Sequence, residues 1–397
     1  MKSFYAKTIV FCFSLFLPLL AISQTGGTAV IRPNTEVPFL NFTPDSRSGA
    51  MGDAGVAISP DVNANYWNPA KLAFLENDDN VSISYSPWLR QLVPDISLSY
   101  LSYAHRMDDR NSIGASLRYF NYGSIQLIDP GQNVQGTYTP SEISLNGSYA
   151  RKFGDELSLG LTMGFIHSSF SNSAASIGTG GQSGKAGNAV SGGVSLYYTK
   201  QTQEFGTDCI FSFGANISNI GTKISYSNNG PNYFLPANLK LGAANTINLD
   251  DYNQITVTLD LNKILAPTPP IRDGSGNIIK GKDDNVSVPA GIFGSFSDAP
   301  DGFSGTLKEI TFSPGFEYLY NQQFALRMGY FYGNTNNPDN AYTEAHYLTL
   351  GVGFKYNSFK FDFSYLVASQ QNSALANTLR FTLIANFGGD KNAAKKQ

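Results

Sequence analysis

The sequence predicts an all-β protein: a transmembrane antiparallel β-barrel of about 14 strands, preceded by an irregular N-terminal segment. Three observations predict it. From about Val81 onward, short segments alternate apolar and polar residues with a period of two, the signal of strands with two unlike faces. Charge collects on one of those faces, where it would be costly against lipid but tolerable in a lumen. The gaps between segments alternate between short and long, as the two ends of a membrane barrel do.

The chain divides into four expected parts. In residues 1–23, Lys2 and Lys7 precede an apolar run from Ile9 to Leu20 and a small-x-small site, Ala21-Ile22-Ser23, just before Gln24. This is the pattern of a secretory signal peptide. The run is too short for a spanning helix, which needs roughly 20 apolar residues, and nothing later supplies one. Cys12 belongs to this leader and no Cys follows the cleavage site, which argues against a lipoprotein. Cys209, the remaining thiol, can form neither an internal disulfide nor a Cys-based metal site. Residues 24–79 are rich in Gly, Pro, Asp and Asn and read as the irregular segment.

Residues 80–387 carry the barrel pattern, with candidate strands near 80–88, 96–106, 112–122, 142–151, 156–168, 188–199, 208–219, 237–247, 254–262, 307–320, 324–333, 345–356, 358–367 and 378–387. The alternation is clearest at the end. Phe359, Phe361, Phe363, Tyr365 and Val367 share one face, while Ser358, Lys360, Asp362 and Ser364 share the other. In the last segment Leu379, Phe381, Leu383, Ala385 and Phe387 oppose Thr378, Arg380, Thr382 and Asn386. The inward phase also collects Arg118, Asp260, Glu309, Glu317, Arg327 and Lys355, charges expected to stand in a wet lumen. A soluble β-sandwich also alternates, but it would put charge opposite its core without so many aromatics at strand ends.

Short turns at 107–111, 152–155, 248–253 and 321–323 take turns with longer loops at 123–141, 169–187, 220–236 and 263–305. With both termini in the periplasm, every long loop falls outside the cell, so the expected location is the bacterial cell outer membrane, with its lipid as a partner. Residues 388–397, a polar tail containing Lys391, Lys395 and Lys396, are expected to hang in the periplasm.

Composition narrows the function. Aromatics make up 13% of the chain and charged residues only 14%, unusual for a soluble domain but natural for a surface facing lipid. Without Lys2 and Lys7, 25 of the 27 basic residues remain against 30 acidic ones, a net charge of −5 that argues against nucleic acid as a partner.

No motif points to catalysis, to a cofactor or to a metal. The histidines are few: His167 and His346 fall in the lipid-facing phase near strand ends, and His105 lies at the opposite end of its strand, so no Ser-His-Asp set forms. Asp273-Gly-Ser275-Gly-Asn277 begins like a calcium loop, but Ile278 stands where Gly is needed and Asp284 where Glu is needed, which leaves a polar turn. The stretch at 178–185 contains a Gly-Lys pair without phosphate-loop spacing. The segment Pro87 to Asp95 joins the first two strands and places Trp88, Leu89, Leu92 and Val93 at or beyond the outer rim. An aromatic belt with a tight turn explains them; a partner-binding surface is the alternative.

Two stretches carry a family resemblance. Asp45-Ser46-Arg47-Ser48-Gly49-Ala50-Met51-Gly52-Asp53-Ala54-Gly55-Val56-Ala57, with Asn65-Tyr66-Trp67-Asn68-Pro69-Ala70, resembles the N-terminal signature of the FadL-like barrels. Tyr85-Ser86-Pro87-Trp88-Leu89-Arg90-Gln91-Leu92-Val93-Pro94-Asp95-Ile96, then Ile113-Gly114-Ala115-Ser116-Leu117-Arg118-Tyr119-Phe120, resembles the PorV family of the type IX secretion system. The likeness is densest from Val37 to about Tyr122 and is weakest in the loop at 263–305. It implies a protein-secretion role: binding cargo that bears a C-terminal secretion domain and shuttling it from the translocon to a cell-surface attachment complex. The implied partners are the translocon barrel, a PorU-like sortase with other attachment-complex proteins, and the cargo domains. It implies no enzyme activity. The competing reading is a FadL-type channel for hydrophobic small molecules, with the N-terminal segment as a plug; an inward face this charged disfavours a greasy conduit.

On this reading Phe363 and Phe381 resist replacement by charge, whereas Lys360 and Arg380 are replaceable at little cost. Boiled and unboiled samples are expected to migrate differently on a gel, and protease added to intact cells to leave the C-terminal tail uncut; removal of the tail would contradict the topology.

Overall fold

The computed structural model describes residues 33–88, 95–128, 131–169, 184–204, 206–335, 343–368 and 378–389. The proposed signal peptide and most of the tail therefore lie outside the described residues. Fourteen antiparallel strands close into one barrel. They are β1 (Asp79–Pro87), β2 (Ile96–Arg106), β3 (Asn111–Tyr122), β4 (Ser141–Lys152), β5 (Leu157–Ser168), β6 (Gly187–Glu204) and β7 (Thr207–Gly221). They continue as β8 (Asn238–Asn248), β9 (Asn253–Ile264), β10 (Thr311–Tyr320), β11 (Phe324–Thr335), β12 (Thr343–Tyr356), β13 (Phe359–Ala368) and β14 (Leu379–Phe387). Each strand pairs with the next in sequence, and β14 returns to β1 in a register running from Asp79 opposite Phe387 to Tyr85 opposite Phe381. Closure leaves no unpaired edge, which a lipid environment demands.

The faces follow the sequence phase. On β1, Ile83 and Tyr85 are exposed, while Ser82, Ser84 and Ser86 are buried inside. On β14, Phe381 and Leu383 face out, and Arg380 and Thr382 face in. Two strands depart from expectation. β6 runs on to Glu204, because Lys200 to Glu204 keep pairing with β7. β10 begins only at Thr311, since Gly302–Lys308 ahead of it forms a helix. Two loops also hold small hairpins outside the barrel, Ile125–Ile128 with Val134–Tyr138 and Ile271–Arg272 with Ile278–Lys280. Two short turns share one device: Asp108 accepts from the N–H groups of Arg110 and Asn111, and Asp250 accepts likewise from Tyr252 and Asn253, each at 2.7–2.9 Å.

The N-terminal segment lies inside the barrel. Its local structure is slight: 3-10 turns at Pro38–Asn41 and Pro69–Phe74, and single helical turns at Ser46–Gly49 and Ala64–Trp67. Its backbone therefore bonds largely to the wall. The N–H groups of Gly55 and Val56 donate to the Asp260 carboxylate at 2.7 and 2.8 Å, and that of Gly52 donates to the Thr349 hydroxyl at 2.8 Å. The Asn65 amide donates to the Ser102 hydroxyl and to the Tyr103 carbonyl, both at 2.9 Å. Contact is close enough that a Cβ on Gly329 of β11 would lie 2.0 Å from the backbone of Met51 and Gly52. Glycine is needed there for space.

Apolar clusters cap both ends of this plug. At the loop end Val37, Phe39 and Leu40 pack with Trp88, Leu98, Phe120 and Ile166. At the turn end Val62, Leu72 and Leu75 pack with Ala104, Ala150 and Ile384. Between them lies an ion-pair network: Arg47 meets Glu317 at 2.8 Å and Asp61 at 3.2 Å, and Arg327 meets Glu317 and Asp362 at 2.6 Å each. The expectation of a wet lumen is thus corrected. Most of the inward charges are buried because the plug displaces the water that would have solvated them: Glu309, Glu317, Arg327, Asp362 and Arg380 stand in ion pairs, Asp260 takes backbone N–H groups and Arg118 donates to a backbone carbonyl of the plug. Lys355 is exposed at the turn end of β12.

This changes the expected cost of lumen substitutions. Arg380 is buried and faces Asp53 at 3.6 Å, so it is not freely replaceable; Lys360 keeps part of its side chain in water and stands 3.5 Å from Asp362, which Arg327 already holds. Removing one partner of a buried pair strands the other, at about 3–5 kcal/mol. In reversible unfolding in liposomes, Glu317→Ala is expected to lose about that much and Phe381→Arg about 2–4 kcal/mol at the bilayer centre, with Lys360→Ala losing far less. Equal losses for Glu317→Ala and Lys360→Ala would contradict the network.

Candidate functional site

Above the plug, at the loop end, the wall and the N-terminal segment leave a cup of about 370 Å³. Its floor is Tyr66 and Trp67, set by a short motif in the plug. Asn68 caps the turn beginning at Pro69 by accepting from the Ala70 N–H, and the Trp67 indole donates to the Asp45 carboxylate at 2.6 Å. Asp45 in turn caps Ser46–Gly49 through the Ser48 N–H. The walls come from strand ends: Asn238 and Lys240 on β8, Asn262 and Ile264 on β9, Phe331 and Tyr347 on β11 and β12, and Arg380 on β14.

The two acids of the cup both have partners, although Asp53 Oδ1 accepts no hydrogen bond. Asp53 accepts from the Tyr347 hydroxyl at 2.5 Å and faces Arg380, and Glu309 takes Lys263 together with the Thr268 hydroxyl at 2.7 Å. The Lys240 ammonium, by contrast, lies 4.3 Å from the ring centres of both Tyr66 and Trp67 and has no carboxylate within 4 Å among the described residues. The rings' negative faces hold the charge without neutralising it. Lys240 was missed in the sequence, although it shares the inward phase of Asn238 and Gly242.

Beside the cup stands the long outer loop. It is fastened by Lys263 to Glu309 and by the Thr268 N–H to Asp298 at 3.1 Å. From that base rise helices α1 (Val288–Gly294) and α2 (Gly302–Lys308). Phe293 on α1 is 78% exposed and Phe303 on α2 is 74% exposed, with Phe296 and Leu307 also exposed. Exposed aromatics grouped in this way mark contact with lipid or protein.

The expectation that Trp88 sits in an exposed patch is corrected. It is 6% exposed, stacked on Phe42 at 4.4 Å and edge-on to Phe120, because the segment entering the lumen gives the indole a surface to bury against. Leu89, Leu92 and Val93 lie outside the described residues. The histidines occupy separate places: His105 meets Asp79 at 2.9 Å at the turn end, while His167 meets Asn188 at 2.8 Å at the loop end of β5. The Asp273 loop is a hairpin turn, in which hydrogen bonds from the Asn277 side chain and backbone hold the carboxyl below its usual range. The Gly-Lys stretch falls mostly outside the described residues.

Comparisons with solved structures return bacterial channels and transporters at low identity. The CymD monoaromatic hydrocarbon channel is 14% identical, with 89% of this chain and 99% of that one covered at a TM-score of 0.47. The Pseudomonas putida toluene transporter TodX is 14% identical, with 90% and 98% covered at 0.47. A Pseudomonas aeruginosa FadL homologue is 12% identical, with 91% and 100% covered at 0.41. No curated protein matches the chain significantly. A family model, the type IX secretion system protein PorV, matches residues 26–271. That match spans more than half of the sequence and includes the plug and strands β1 to β9, and the chain therefore belongs to the PorV family of outer-membrane type IX secretion proteins.

Proposed function

We propose that this protein is a carrier: it binds secreted cargo through the C-terminal secretion domain and shuttles it from the translocon barrel to a PorU-like sortase in the surface attachment complex. The observation that carries this reading is the contrast between the two parts of the molecule. The lumen is filled by a plug tied to the wall, whereas the loop end presents an anchored platform with Phe293, Phe296, Phe303 and Leu307 turned outward. A folded domain cannot thread a side-chain-filled barrel of this strand number. Recognition on the loop side fits both the family and the geometry.

Within this reading, Leu89, Leu92 and Val93, which follow the loop end of β1 in sequence, are proposed as a neighbouring part of the contact surface. Trp88, which precedes them, is a buried anchor stacked on Phe42. The channel reading keeps one observation in its favour, the cup, but a conduit through it would require the buried ion pairs below to part.

The test replaces Phe293, Phe303 and Leu307 together by Ser in the chromosomal gene. Loss of cargo from the cell surface, with the barrel still heat-modifiable on gels, is the expected outcome. Normal display of cargo in that strain, or in one lacking the gene altogether, would reject the carrier reading.

A further inference from the structure

The cup holds more unmet polar chemistry than a structural cavity needs. Lys240 is 4% exposed and has two aromatic rings against it in place of a counter-ion. Arg380 is 3% exposed; its Nη1 faces Asp53, but its Nε has no partner. The Trp88 Nε1 has none either, and the side-chain oxygens of Asn238 and Asn262 and the Oδ1 of Asp53 accept no hydrogen bond. All six residues line this one cavity. Leaving a buried polar group unpaired costs about 1–3 kcal/mol, and a ligand in this cavity, which opens at the loop end, would satisfy several of them at once.

The unmet groups define that ligand. Lys240, Arg380 Nε and Trp88 Nε1 are donors, two of them cationic, and their complement is a carboxylate. Asn238 and Asn262 offer oxygens, whose complement is an N–H. Phe42, Ile264 and Phe331 supply apolar wall for a side chain. At about 370 Å³ the cavity falls at the lower end of the roughly 300–1,000 Å³ typical of small-ligand pockets, room for a short chain end and not for a folded domain. We propose that the cup receives a free polypeptide C-terminus, its carboxylate held by Lys240, Arg380 and Trp88 and its last backbone N–H groups by Asn238 and Asn262. The assignment rests on the carrier reading, since a secreted protein is what brings a chain end to this face.

Trp67 and Trp88 are the chain's only two tryptophans and both line the cup, so intrinsic fluorescence reports its occupancy. Full-length protein in detergent would be titrated with a short synthetic peptide ending in an aromatic residue, with the same peptide amidated at its C-terminus, and with 3-phenylpropionate. The free-acid peptide is expected to give a saturable change, with the amide at least about tenfold weaker, the factor one charge-assisted hydrogen bond supplies. Lys240→Met is expected to narrow the difference between acid and amide by several-fold. Should Lys240→Met lose heat-modifiable migration, Asn262→Ala carries the test, weakening the peptide but not phenylpropionate, which has no N–H to offer. An amide that binds as tightly as the acid, or no saturable change, overturns the proposal. Phenylpropionate binding as tightly as the peptide overturns the chain-end assignment in favour of a small free carboxylate. The carrier reading fails separately, by normal cargo display when the outer-loop aromatics are removed.

Discussion

Arg47 enters the barrel on a chain that has almost no secondary structure of its own, and its guanidinium closes on Glu317 with Nε and Nη2 together, at 3.1 and 2.8 Å. Glu317 is shared with Arg327, and Arg327 with Asp362, so one carboxylate–guanidinium chain runs from the plug across β10, β11 and β13. Once water is excluded, each of these charges is unaffordable without the others. The wall needs the plug to neutralise it, and the plug needs the wall to fold. Single helical turns such as Ser46–Gly49 have no stability in isolation. Most of what else is seen in the lumen follows from that mutual need: the apolar caps above and below, and the wall glycines that let the plug approach.

The same constraint divides labour along the barrel axis. The turn-side half of the lumen is filled by the plug, with its apolar residues packed and the Lys71 ammonium held by the Gly55 carbonyl. The loop end is different. There the chain leaves Lys240 without a counter-ion, spends acids such as Glu309 on anchoring a loop, and turns Phe293 and Phe303 outward. On the proposed reading, the groups that meet other molecules stand at the loop end, and the plug-filled remainder of the barrel supports them.

Much of the fold was legible because lipid enforces it. A strand that slips by one residue exchanges its whole outward face for its inward one, so phases such as Phe359-Phe361-Phe363 against Lys360-Asp362-Ser364 fix the strands closely. The start of β10 was placed too early because the residues of Gly302–Lys308 border a strand pattern and give too short a helical signal to register. The plug was harder to read. Composition describes Gly, Pro, Asp and Asn in the same way whether they lie in solvent or inside a barrel. Its signal was elsewhere, in glycines of the inward phase such as Gly242 and Gly329, where a Cβ would strike Val56 or Met51. The cup was illegible for a related reason: Lys240, Arg380 and Trp88 come from strands far apart in sequence, and only barrel closure and the plug bring them together.

A sealed lumen below a receptive outer face is the centre of this account, and locking the plug tests it most directly. The Ser46 hydroxyl lies 3.1 Å from that of Thr382 on β14, so Ser46→Cys with Thr382→Cys, in a chain carrying Cys209→Ser, places a disulfide between plug and wall. Cells bearing the oxidised protein are predicted to display cargo at the surface as fully as cells in which the bond is reduced. Display that stops on oxidation and returns on reduction would mean that the plug must move, and would contradict the account.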